Sequence, residues 1–123
     1  MTLSDVFQND GIGIMATAGA DGSVNTAIYA RPHVIDEATF VWGMTDGRSF
    51  RNVSKNPHAS YLFKQSGPGF SGVRLRLELI RTEEGGDMLA SIQNNTNKVV
   101  GPGAGKAVTH AVWFRVVEVR PLI

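Results

Sequence analysis

The chain is 123 residues long, 42% hydrophobic and 19% charged, the balance of a folded chain and not of a disordered one, so positions 1–123 read as a single domain. It contains no Cys, which excludes disulfides, thiolate nucleophiles and thiolate metal sites. Twelve Lys+Arg against eleven Asp+Glu give a net charge of +1, too little for the basic footprint of a nucleic-acid binder.

From Leu3 to Asn9 a short helix is expected, with Thr2 or Ser4 as N-cap and Gly11 just past its end. Asp5 and Asp10 without a basic residue do not make a secretory signal. No apolar run reaches the ~20 residues of a membrane helix. A cytoplasmic protein that does not bind membranes is expected.

Ile12, Ile14 and Ala16 alternate with Gly13, Met15 and Thr17, the period of a strand. Asp21-Gly22 makes a hairpin turn, because Gly accepts positive φ without steric cost. A second strand follows over Val24–Val34, with Pro32 marking a bend or an edge. A third covers Thr39–Met44. Gly47–Lys55 predicts a short helix stopped by Asn56-Pro57, since Pro disfavours helical geometry in the residue before it. Ala59–Lys64 is a fourth strand. Val73, Leu75, Leu77 and Leu79 alternate with Arg74, Arg76 and Glu78 in the clearest half-buried strand of the chain. A helix over Gly85 to about Gln93 ends in the polar stretch Asn94–Lys98. A final strand, Val108–Val119, is apolar on both faces, and a partner subunit is expected to cover the second. Six strands and three short helices predict a mainly antiparallel β fold.

Gly101-Pro102-Gly103-Ala104-Gly105-Lys106 fails as a phosphate loop. Val100 stands where the first Gly is required, and Ala107 replaces Ser/Thr. His33, His58 and His110 lack metal-site spacing, and no Gly-x-Ser-x-Gly elbow occurs. No metal ligand and no catalytic side chain is therefore assigned. The informative stretch is Trp42 to Pro57, where a strand end, a turn and a helix start follow one another. Free N–H groups at such a point attract phosphate. Arg48 adds a charged fork and Ser49 a hydroxyl donor. Arg48, Asn52 and Lys55 share one helix face.

Gly13-Ile14-Met15-Ala16-Thr17, Asp21-Gly22 and Asn25-Thr26-Ala27 resemble the opening "ATxxxDGxPxxxP" hairpin of the pyridoxamine-phosphate-oxidase-like flavin split barrels. Gly47-Arg48-Ser49-Phe50-Arg51-Asn52 with Asn56-Pro57 is similar to that family's "SRKxRNLxxNP" segment. Ser60–Phe63, Ser66–Gly69 and Val73–Ile80 extend the likeness to the small stand-alone FMN-binding proteins. The resemblance implies a six-stranded antiparallel split β-barrel with short flanking helices, forming a homodimer with FMN at its interface. It places the flavin phosphate at Arg48 and Ser49, within a segment that includes Gly47 and Asn52. Asn25, Thr26, Ala27, Trp42, Gly43, Met44 and Thr45 would line the ring system and ribityl chain.

The chain also departs from the true oxidase. Ser49 replaces the usual Lys, Ser71-Gly72-Val73-Arg74 lacks the Arg and Gln of "RQVR", and the oxidase's C-terminal substrate-binding extension has no counterpart within positions 1–123. The implied function is an FMN-dependent oxidoreductase or electron carrier, not an authentic pyridoxamine phosphate oxidase. Its physiological redox partner is unspecified. A non-catalytic flavin or haem binding module and a deazaflavin-dependent reductase are the alternatives.

Overall fold

The computed structural model describes residues 2–123. The helix α1 is short, Leu3–Val6, and is held by a capping box between Thr2 and Asp5. Strand β1 (Gly11–Ala18) points Gly13, Met15 and Thr17 inward and Ile12, Ile14 and Ala16 outward. Gly13 is required there: any Cβ would collide with the Tyr61 hydroxyl and the Tyr29 carbonyl.

The expected second strand is two strands, β2 (Val24–Ile28) and β3 (His33–Asp36), so the sheet has seven strands and not six. Pro32 has no N–H to give to a ladder, and the chain leaves one end of the sheet to join the other. The remaining strands are β4 (Thr39–Met44), β5 (His58–Gln65), β6 (Gly72–Glu83) and β7 (His110–Arg120). All pairings are antiparallel, in the order β2-β1-β5-β6-β7-β4-β3. β2 and β3 are adjacent in sequence yet lie at opposite ends of this order, so the sheet curls on itself.

Met15, Phe40, Tyr61, Phe63, Leu75 and Phe114 fill the curl and are almost fully buried. Each such side chain contributes roughly 1.5–3 kcal/mol by leaving water. Helix α2 (Arg48–Lys55) ends where Asn56 turns extended before Pro57. Helix α3 (Asp87–Val99) runs through the polar stretch expected to end it. Those residues form its solvent side, and Thr96 donates to the carbonyl of Ile92 at 3.0 Å.

Leu89 and Ile92 of α3 cover the outer face of β4 and β7 at Val41 and Ala111, with Trp113 packed against them. The second face of the last strand is thus hidden by its own chain over Ala111–Trp113, and of its large apolar side chains Val117 and Val119 are left exposed. Close approach depends on Gly43, whose Cβ would lie 2.5 Å from Ile92 Cγ2 and 2.6 Å from Val108 Cγ1.

Candidate functional site

A cleft of about 480 Å³ opens between β2 and the turn into α2, within the roughly 300–1,000 Å³ typical of small-molecule sites. It gathers Asn25, Thr26, Ala27, Gly43, Thr45, Gly47, Arg48 and Ser49, all expected from the sequence. Ile28, Tyr29 and Ala30 also line it. Continuing the β2 alternation from Asn25 and Ala27 leads directly to Tyr29, so that signal was available in the sequence.

Gly47 is the N-cap of α2 and brings no side chain to cap it. Within the helix, Arg51 N–H is the first to bond, to the carbonyl of Gly47 at 3.0 Å. The N–H groups of Arg48, Ser49 and Phe50 are therefore left for an outside acceptor, at the positive end of the helix dipole. Among the described residues no carboxylate pairs with Arg48. Ser49 is 94% removed from solvent, at 6% exposure. Burial raises the pKa of Tyr29, and its contact with the Ser49 hydroxyl partly offsets the rise. At neutral pH this wall therefore presents hydroxyl groups and one guanidinium, a donor set suited to a phosphate.

The other expected site residues lie elsewhere. Trp42 and Met44 are 2% and 1% exposed and belong to the core behind the cleft. Trp42 Nε1 donates to the carbonyl of Ala30 at 2.9 Å, as does the Tyr61 hydroxyl, also at 2.9 Å. Asn52 donates to Thr17 Oγ1 at 3.0 Å and fastens α2 to β1. It faces a smaller recess beyond Arg48, shared with Arg51.

None of the three histidines lines the cleft. His110 is buried, stacks flat on Phe50 at 3.6 Å, and leaves Nδ1 without a hydrogen bond. No group of three or more metal-binding side chains occurs among the described residues. In the glycine-rich stretch, Gly105 N–H donates to Asn97 Oδ1 at 2.7 Å within a 3₁₀ turn over Ala104–Ala107. It takes no part in the cleft. No helix among the described residues is long and apolar enough to cross a membrane.

The sequence matches no protein-family model, and no curated protein matches it. Solved structures do. An FMN-binding protein from Syntrophomonas wolfei subsp. wolfei superposes with a TM-score of 0.84 at 14% identity, over 97% of this chain and 82% of the other. A putative pyridoxamine 5'-phosphate oxidase from Listeria innocua gives 0.73 at 16% identity, over 98% and 94%. HutZ, the haem storage protein from Vibrio cholerae, gives 0.62 at 16% identity, over 97% and 91%. These are split-barrel neighbours, and the chain has the split-barrel fold expected from its sequence.

Proposed function

We propose that the chain binds FMN in the cleft between β2 and α2, as a flavoprotein of the oxidoreductase or electron-carrier kind. The observation that carries this reading is the convergence at one end of the cleft of three features. They are the free N–H groups of α2, the unpaired Arg48 guanidinium and the buried Ser49 hydroxyl. Together they fit a phosphate, and the β2 wall from Asn25 to Ala30 offers length for the rest of the cofactor. Bound FMN supplies hydride or electron transfer, while the protein supplies binding and orientation. Arg48 neutralises the phosphate, Ser49 and the helix amides orient it, and Tyr29, kept protonated by burial, donates from the wall.

The reading includes a homodimer. Ile28, Ile14 and Leu62 stand side by side across β2, β1 and β5 on the outer face of the sheet. Ile12 and Val24 extend this apolar surface, 60% and 74% exposed. Its edge at Ile28 is also a wall of the cleft, so a second copy seated there would complete the site.

The test compares FMN with riboflavin, which lacks the phosphate. Losing a charge-assisted contact costs about 1.5–3 kcal/mol, very roughly ten- to over a hundredfold in affinity. Arg48→Ala should weaken FMN by that factor and leave riboflavin nearly unchanged in a flavin fluorescence titration. Equal loss of both ligands, or none, would move the phosphate elsewhere. The likeness to HutZ favours a second reading, haem binding. A Soret band in the purified protein would support it. Against it, the cleft walls carry no histidine and only a protonated tyrosine, a poor set of axial ligands.

A further inference from the structure

The cleft runs along β2 and just past its end, from Asn25 to Ala30, about 17 Å at about 3.3 Å per residue. Arg48 stands at the Asn25 end. Past the other end lies a separate groove of about 450 Å³ between the β2–β3 connection and the C-terminal turn of α3. Ala30 lines both spaces, so a single small, exposed side chain is the ridge between them.

The groove is of different chemistry from the cleft. Its apolar walls are Phe7, Pro32, Val99 and Val100. The two valines are 74% and 73% exposed at the end of α3. Adjacent exposed valines along a concavity are the kind of surface that takes an apolar ligand.

The groove's one guanidinium is already engaged. Arg31 Nη1 donates to the carbonyls of Phe7 at 3.3 Å and Asn9 at 3.0 Å, and Nη2 lies 3.8 Å from Asp10 Oδ1. Thr96 donates its hydroxyl back to Ile92. Burial lowers the pKa of His33, which keeps that imidazole neutral. What remains for a ligand is a surface a little more than half apolar, with neutral hydrogen-bonding groups at Gln8, Asn95 and His33.

We propose that this groove is a second subsite, continuous with the cleft across Ala30, and that it takes an uncharged, largely apolar molecule. It is the substrate site of the flavoprotein reading, on which this inference rests.

Menadione, an uncharged quinone, and 1,4-naphthoquinone-2-sulfonate, its charged counterpart, serve as probes. Each is dialysed to equilibrium against the FMN-loaded protein. The wild type should bind menadione more tightly than the sulfonate by about tenfold or more, since the groove's one cation, Arg31, is already held by two carbonyls and faces Asp10. The double variant Val99→Lys, Val100→Lys removes the apolar wall. Lysine suits a helix C-terminus, so the fold should persist. Menadione affinity should then fall by about tenfold or more, the sulfonate should bind better, and FMN affinity should stay within about twofold. Val117→Lys, on an exposed part of β7, should change none of these.

Menadione binding indifferent to Val99 and Val100, or a sulfonate that binds the wild type equally well, overturns the groove and leaves the FMN reading standing. A wild type that binds no FMN in a separate fluorescence titration removes the flavoprotein reading, and the substrate role with it.

Discussion

The carbonyl of Ala30, at the end of the cleft wall, accepts two side-chain hydrogen bonds. Trp42 of β4 and Tyr61 of β5 both donate to it, and Tyr61 also reaches the carbonyl of Tyr29 at 3.2 Å. Two strands from different parts of the sheet thereby hold the segment that ends the cleft wall. Tyr61→Phe leaves Ala30 with one donor and should cost about 1–2 kcal/mol, or roughly 4–8 °C in melting temperature for a chain of this size. Trp42→Phe combined with it should cost more than the sum of the single changes, because the carbonyl then has no donor. Burial holds the Tyr61 phenol far above its ordinary range. Above about pH 10 the unfolded chain releases this proton while the folded chain keeps it. Stability is therefore complete below that pH and declines above it, and Tyr61→Phe should flatten part of the decline in urea titrations taken across pH. The phenol of Tyr29, also raised by burial, should retain the rest.

Among the elements, α3 rests on β4 through a missing side chain. Gly43→Ala drives a methyl group into Ile92 and Val108. Crowding of that kind typically costs about 1–3 kcal/mol, read as a lower denaturant midpoint at unchanged slope. An unchanged midpoint would mean that α3 moves away freely. Elements governed by local chemistry were legible from the sequence. Asn56-Pro57 ends α2 by a clash within the dipeptide, and β6 shows its alternation residue by residue. Where a distant contact decides, the sequence was less informative. Asn94–Lys98 reads as a helix end, yet the helix continues, tied to the following segment where Gln93 donates to the carbonyl of Val108 and Asn97 accepts from Gly105 N–H. The break between β2 and β3 was signalled by Pro32 but understated, because the switch of sheet end is a matter of topology and not of propensity.

For the whole molecule, the order of strands depends on pairings far apart in the chain, which no local pattern encodes. The fold was nevertheless legible through resemblance, and the consecutive residues Gly47, Arg48 and Ser49 that the sequence singles out do line one cleft together. The inward turn of Trp42 and Met44 also follows from alternation along β4, where Val41 and Gly43 face α3. On β7, α3 covers Trp113 and leaves little apolar surface for a partner subunit. In the proposed dimer the partner is seated on the outer apolar row at Ile14, Ile28 and Leu62. Sedimentation should give a dimer at micromolar concentration. Ile12→Lys with Leu62→Lys should give a monomer with reduced FMN affinity. A wild-type monomer that binds FMN at full strength would end the shared-site model.

The position of β2 has a consequence for motion. It is an edge strand, bonded along its length only to β1, and it forms one wall of the cleft while α2 forms the other. Edge strands are drawn from the less protected part of a fold. In the empty protein its amide protons should exchange with solvent through local opening, well before those of β5 and β6 in the middle of the sheet. A ligand bridging β2 and α2 must leave before that opening can occur. At a concentration about a hundredfold above its dissociation constant it adds about 2.7 kcal/mol to the cost of opening. The β2 amides should then exchange roughly a hundredfold more slowly, while β6 is scarcely affected. Occupancy of the cleft would thus be recorded in the exchange clock of a single strand.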